Sequence, residues 1–215
     1  MNISIMLPSC PLCGSSSVLL HTLLNRNYFR CSQCKSAFAD PNNHLSYDDE
    51  ESRYLEHNND IYDPGYRDFV KPIIETVLSK FLPEHEGLDF GAGTGPVISQ
   101  VLTENGYCIK QFDPFFCNKP EVLTRQYDYI VCCEVIEHFH NPYREFIQLK
   151  SLLKPGGMLI CMTDIFYDDI DFAKWYYKND PTHVFFYHPT SLSFIKAEIG
   201  FTSYMLNGRV IRFEA

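Results

Sequence analysis

Two sets of residues in this chain have the type and spacing to do chemistry. The first is four cysteines: Cys10-Pro11-Leu12-Cys13 and Cys31-Ser32-Gln33-Cys34 form two C-x2-C pairs separated by 17 residues. Each pair sets two thiolates on a tight turn, the first eased by Gly14, and four such ligands complete a tetrahedron around Zn²⁺, with a rubredoxin-type iron as the competing occupant. A filled four-cysteine site has no open position, so its metal is expected to be structural. The second set is Gly91, Gly93 and Gly95, which alternate directly after a short apolar run. A turn stripped of side chains lets a flat, polar ligand lie against bare backbone. About twenty residues on, the apolar run 107–112 ends in Asp113, an acid placed to accept from both hydroxyls of a ribose, so a nucleoside ligand is expected.

The elements that must position these groups follow from periodicity. Residues 88–90 read as a strand running into the glycine turn, and Pro96 as the opening of a helix with Val97, Ile98, Val101 and Leu102 on one face. Ahead of it, Phe69, Ile73, Val77 and Phe81 recur at spacings of four, predicting an amphipathic helix over 68–82, capped by Asp68 and stopped before Pro83. The continuous apolar run 129–133 predicts a central parallel strand with Cys132 and Cys133 in the core, delivering Glu134, Glu137 and His138 to the carboxyl edge of the sheet. A helix over 142–153, a Lys154-Pro155-Gly156-Gly157 turn and a strand over 158–162 come next. The chain closes with a helix over 190–199 and a hairpin turning at Asn207-Gly208. Between Asp113 and Tyr127, Pro114, Phe115, Phe116 and Pro120 predict a loop.

Dinucleotide enzymes read G-x-G-x-x-G, whereas this loop reads D-x-G-x-G-x-G. Leu88-Asp89-Phe90-Gly91-Ala92-Gly93-Thr94-Gly95 resembles the first motif of class I S-adenosylmethionine-dependent methyltransferases. Asp113 resembles their ribose acid, Tyr127-Asp128-Tyr129-Ile130-Val131-Cys132-Cys133-Glu134-Val135-Ile136-Glu137-His138 their fourth strand and following loop, and Leu153-Lys154-Pro155-Gly156-Gly157-Met158-Leu159-Ile160 the turn into their fifth. The resemblance covers residues 68–215. It implies an α/β, Rossmann-like sheet of seven strands, mostly parallel with a terminal antiparallel strand. It also implies S-adenosyl-L-methionine as cofactor, at Asp89, Gly91, Gly93, Gly95 and Asp113, with Glu134 on its ammonium group. One departure stands out: the third strand and its helix, which hold the adenine ring in that family, are compressed here into a dozen residues. In similar methyltransferases the residues before the first core helix cover the cofactor, which makes Tyr54, His57 and Tyr66 lid candidates. Asp180-Pro181-Thr182-His183 resembles a stretch near the active site of methyltransferases that act on small molecules and sugars.

The chain therefore divides into a zinc ribbon at 1–40, an acidic and aromatic segment at 41–67, and a methyltransferase-like domain at 68–215. The ribbon's short strands flank the polar turn Asn25-Arg26-Asn27, and its Arg26, Arg30 and Lys35 offer either a solvated surface or a small anionic contact. The aromatic stretch 164–188 either lines an acceptor pocket or roofs the sheet. Methyl transfer from a sulfonium is a direct displacement that needs alignment, dryness and a base for the acceptor's proton; His138 and His183 are the catalytic candidates.

With 45% hydrophobic and 21% charged residues, the chain is that of an ordinary globular protein. No apolar run approaches the roughly 20 residues of a membrane span, and no basic-then-apolar start marks a secretory signal, which predicts a cytoplasmic protein without membrane contact. In a reducing compartment the spaced cysteines among the nine read as metal ligands. A net charge of −9 disfavours broad attraction to nucleic acid. The leading expectation is methyl transfer to a small-molecule acceptor such as a sugar or metabolite. Three alternatives stay open: methylation of RNA or protein docked on the ribbon, a non-catalytic cofactor-binding scaffold whose ribbon contacts a protein partner, and a nicotinamide-dependent oxidoreductase.

Overall fold

The cysteine pairs sit at the turns of a small antiparallel sheet. Its strands β1 (Ser17–Leu23) and β2 (Arg26–Cys31) pair from Ser17 opposite Cys31 to Leu23 opposite Arg26, and β3 (Ala37–Ala39) adds to β2. The computed structural model describes residues 7–56 and 60–215.

The acidic segment folds rather than linking. Ser46 accepts from the Asp49 amide and caps α1 (Tyr47–Leu55), whose first turn holds Asp48, Asp49 and Glu50, charges that complement the positive end of a helix. The next helix, α2 (Pro64–Lys80), starts four residues before the 68–82 expectation. Asp63 accepts the Tyr66 amide at 2.7 Å and Pro64 fills the first turn, a cap-plus-proline start that outcompetes Asp68. Val70, Ile73, Ile74 and Val77 form its buried face.

The central sheet is assembled from β4 (Glu86–Phe90), α3 (Val97–Glu104), β5 (Cys108–Phe112), β6 (Tyr127–Cys133), α4 (Pro142–Ser151) and β7 (Leu153–Met162). After β8 (Phe185–Phe186) and α5 (Pro189–Ile199), the strands β9 (Ser203–Asn207) and β10 (Val210–Glu214) complete it in the order β5-β4-β6-β7-β10-β9. Neighbours from β5 to β7 are parallel, and β10 is antiparallel to both β7 and β9. Six strands, not seven, make this sheet among the described residues. The segment after Asp113 holds one bridge, Asp113 to Cys117, and a 3-10 turn at Pro120–Thr124. With Pro114 and Pro120 in so short a span, there is neither length nor donors for a ladder.

The chain leaves β4 for β5 on one side and returns to β6 on the other. That reversal opens a crevice at the carboxyl ends of β4 and β6, where the glycine turn and Glu134 both lie.

Strand β8 does not join this sheet. It pairs with β3, Ala37 opposite Phe186 and Phe38 opposite Phe185, so the cysteine-bearing sheet takes its fourth strand from the far end of the chain and a ladder crosses the expected boundary at residue 40. Most of the aromatic stretch 164–188 follows it. Phe166, Phe172, Trp175, Tyr177 and Phe186 bury against Tyr28, Ala37 and Ala39 in one cluster. The aromatics therefore pack mainly on the cysteine-bearing sheet; Tyr176, Tyr177 and His183 also reach the crevice.

Candidate active site and metal centre

At the end of β4, Gly91 and Gly93 take φ of 78° and 65°, a left-handed region that side chains resist. A Cβ on Gly91 would fall 2.5 Å from Val135, so this glycine also allows the loop after β6 to approach. The Gly91 and Ala92 amides donate to the Phe112 carbonyl, and the Gly93 amide donates to Asp113 Oδ2 at 2.9 Å. Asp113 Oδ1 accepts from the Phe115 and Phe116 amides at 2.9 and 3.0 Å. Gly91, Gly93 and Asp113 all line a cavity of about 820 Å³. Asp89 and Gly95 do not. Asp89 lies beneath the turn, accepting from Ser99 Oγ at 2.7 Å, and burial lifts its carboxyl to about 6. It pins α3 to β4.

Glu134 also lines the cavity, at φ 51°. Arg209 Nη2 donates to both of its oxygens at 2.8 Å, and the Tyr177 hydroxyl donates to Oε2 at 3.0 Å. The same hydroxyl bonds Glu137, whose Oε2 is buried without a partner. Burial and the neighbouring Glu134 push the Glu137 carboxyl well above the usual range. Both carboxyls face the Tyr177 hydroxyl, and Arg209 supplies the opposing positive charge on the Glu134 side.

His138 and His183 come together in the cavity wall, their rings edge to face at 4.8 Å. His138 Nδ1 lies 3.0 Å from the Thr182 carbonyl and 3.2 Å from the Tyr54 hydroxyl; His183 Nδ1 lies 2.7 Å from the Tyr177 carbonyl. A carbonyl only accepts, which assigns the proton to Nδ1 in both rings and makes Nε2 the basic nitrogen. One ligand atom each from Glu137, His138 and His183 lies within 4.8 Å of the others, a mixed nitrogen and oxygen set able to hold a divalent cation.

Helix α1 lies along the cavity. Tyr47, Glu50 and Tyr54, at spacings of three and four, all face the cavity. Tyr47 stacks on Phe115 at 4.4 Å, Glu50 pairs with His140 at 2.9 Å, and Arg53 donates to Asp180 at 2.9 Å. Tyr66 lines the cavity as expected, while His57 lies outside the described residues. Glu50, His140, Glu145 and Gln148 were not anticipated. The i, i+3, i+7 pattern of Tyr47, Glu50 and Tyr54 was a legible signal for the first of them.

The four cysteines converge. Cys10 and Cys34 Sγ are 3.6 Å apart, Cys13 and Cys31 Sγ are 3.3 Å apart, and all four sulfurs lie within 4.8 Å of one another. Tetrahedral Zn–S bonds of about 2.3 Å require sulfurs about 3.8 Å apart, so the set fits one ion with small adjustment. The Gln33 and Cys34 amides point at Cys31 Sγ at 3.4 Å each, as a thiolate needs. Of the ribbon cations, Arg26 is turned inward and donates to the carbonyls of Asp180 and His183, Arg30 pairs with Asp168, and Lys35 stays exposed with its ammonium on the Ser32 carbonyl.

A family model described as a methyltransferase domain matches residues 62–204. The ubiquinone biosynthesis O-methyltransferase of Rickettsia bellii (strain OSU 85-389) is 29% identical over 115 residues, covering 42% of this chain and 48% of that protein. The enzyme of the same name from Coxiella burnetii (strain Dugway 5J108-111) is 28% identical over 99 residues, covering 35% and 42%. This chain thus spans about half or less of the length of these relatives. Among solved structures, a SAM-dependent methyltransferase from Archaeoglobus fulgidus superposes with a TM-score of 0.52 at 20% identity, covering 75% of this chain and 76% of that one. An O-methyltransferase family protein from Burkholderia thailandensis gives 0.52 at 16% identity, covering 77% and 61%. Both have the same α/β fold. Among the described residues, no helix is long and apolar enough to cross a membrane.

Proposed function

The chain belongs to the family of methyltransferase domains, with their class I α/β fold, and we propose that it transfers a methyl group from S-adenosyl-L-methionine to a small-molecule acceptor. The observation that carries this reading is the cavity: the glycine turn and Asp113 form one wall, and His138 and His183 another. Its volume of about 820 Å³ lies high in the range of about 300–1,000 Å³ for small-molecule sites, as two ligands require.

S-adenosyl-L-methionine, when bound, supplies an electrophilic methyl on a sulfonium. The chain's residues do the rest. Gly91 and Gly93 give bare backbone for close approach, and Asp113 keeps acceptor capacity for a ribose. Phe112, Phe115 and Phe116 offer apolar surface where the missing third strand would have supplied it. Glu134 contributes its charge to this wall, but Arg209 and Tyr177 occupy its oxygens, so its first role is to hold the loop after β6. Nε2 of His183 or His138 takes the acceptor's proton, and the α1 lid limits water. Four thiolates hold a structural Zn²⁺ in the ribbon, as a reducing, cytoplasmic setting would allow.

The lining carries Glu50, Asp113, Glu134, Glu145 and Asp180, and no Lys or Arg among the described residues. Such a wall disfavours a doubly charged phosphate on the acceptor and suits a neutral, hydroxylated or amine-bearing one. With Arg26 and Arg30 paired within the chain, Lys35 alone of the three ribbon cations is left exposed, too little positive charge to hold a polyanion. The test is methyl transfer from labelled S-adenosyl-L-methionine to catechols, sugars and amines, beside their phosphorylated counterparts and bulk RNA. Transfer to the unphosphorylated small molecules supports the reading; transfer to RNA alone overturns it.

A further inference from the structure

We propose that Arg26 is a positioning residue for His183, which makes the cysteine-bearing sheet part of the active-site wall rather than an appendage. The proposal rests on the reading of His183 as a base. Its grounds are a series of contacts that all run one way, from the ribbon to the backbone behind His183. Arg26 Nη2 donates to the His183 carbonyl at 3.0 Å, and Nη1 reaches the Asp180 carbonyl at 3.5 Å. Tyr28, buried beneath the guanidinium with its ring centroid 5.2 Å away, donates its hydroxyl to the Lys178 carbonyl at 3.0 Å. The Ala39 amide donates to the Val184 carbonyl at 2.8 Å. The carbonyls of residues 178, 180, 183 and 184 are therefore each taken by a donor from the ribbon.

That grip matters because it holds the backbone end of His183 while another contact holds the ring. Its ring is fixed by the Tyr177 carbonyl on Nδ1, and its backbone by Arg26. The turn between is internally braced, with the Thr182 amide and hydroxyl on Asp180 Oδ1 and the His183 amide on the Asp180 carbonyl. It therefore moves as a unit, and a unit needs an external reference. Arginine suits the task because one planar fork presents two nitrogens to two carbonyls; a lysine is a point donor that can satisfy one. Without the fork the turn keeps the bonds from Tyr28, Ala39 and Arg53 but loses the donor on the His183 carbonyl itself, so it can tilt at that residue. The ring then loses its fixed relation to Tyr177, and with it the tautomer that keeps Nε2 basic.

The test uses the full, metal-replete chain with Arg26→Gln and Arg26→Lys. Long-range proton–nitrogen NMR of the imidazoles, with His183 assigned through His183→Gln, reads the tautomer directly. Calorimetry with S-adenosyl-L-homocysteine reads the cofactor wall, and emission of Trp175, the single tryptophan and a member of the shared aromatic cluster, reads docking of the ribbon. The expected result is one Nδ1–H tautomer in the parent, a mixture in Arg26→Gln and a partial return in Arg26→Lys, with homocysteine-adduct affinity within about twofold throughout. A single unchanged tautomer in Arg26→Gln overturns the proposal. If Arg26→Gln also shifts Trp175 emission, Arg26→Lys decides: mixed tautomers at unshifted emission support it, and a single tautomer contradicts it. Failure of His183 as base would show separately, as an unchanged methyl-transfer rate in His183→Gln.

Discussion

Asp113 Oδ2 accepts the Gly93 amide at 2.9 Å, joining the tip of β5 to the glycine turn twenty residues earlier, while its Oδ1 takes the amides of Phe115 and Phe116. An ionised carboxylate has about four lone-pair sites, so three are engaged and capacity for a ribose hydroxyl remains. One buried side chain thus braces two walls of the cavity and keeps a site for the ligand.

Replacing Asp113 tests both roles. Asp113→Ala strands three amides, each worth about 1–3 kcal/mol when buried and unpaired, and it should lower the thermal midpoint and weaken S-adenosyl-L-methionine binding at least tenfold. Calorimetry and thermal unfolding on the same preparation separate the two effects.

Gly91 and Gly156 both sit at φ 78°, but a Cβ on Gly156 meets nothing within 4 Å whereas one on Gly91 meets Val135. Alanine at either position pays the left-handed cost of about 1–2 kcal/mol. Gly91→Ala should in addition displace the loop carrying Glu134 and impair S-adenosyl-L-methionine binding. Equal affinities in the two variants would remove the glycine turn from the site.

Asp89 gives a pH signature. Its folded value of about 6 stands above the ordinary 3.8, so the folded state binds the proton more tightly and loses stability as pH rises through that window. Relative to Asp89→Asn, which keeps an oxygen for Ser99, the parent should gain about 1 kcal/mol of unfolding free energy between pH 7 and pH 5. Urea titrations at the two pH values measure it.

The cysteine site predicts one zinc per chain, by elemental analysis, on protein free of visible absorption; bound iron would colour it. Chelation should release the folding free energy that the small sheet draws from its metal. Because Trp175 packs on Phe186 of β8 at 5.3 Å, its emission should shift to the red as the metal leaves.

The glycine turn, the acid after the second strand and the four cysteines were legible because each is a local pattern whose geometry is dictated by its own residues. The start of α2 was misread because Asp63-Pro64 and Asp68 are both plausible caps, and the proline in the first turn tips the choice to the earlier one. The missing strand was foreshadowed by Pro114 and Pro120. What no local pattern carried was β8: a two-residue strand has no periodicity, and Phe185 and Phe186 read as one more pair in an aromatic run until β3 supplies their partner. For the same reason Arg26 looked like surface charge, although its partners lie more than 150 residues away.

The most direct measurement is calorimetric titration of the metal-replete chain with S-adenosyl-L-methionine, S-adenosyl-L-homocysteine and NAD. Micromolar, one-to-one binding of the first two, no binding of NAD, and loss of both affinities in Gly93→Val are the predicted results. Absence of binding to either adenosyl compound would contradict the assignment of the cavity.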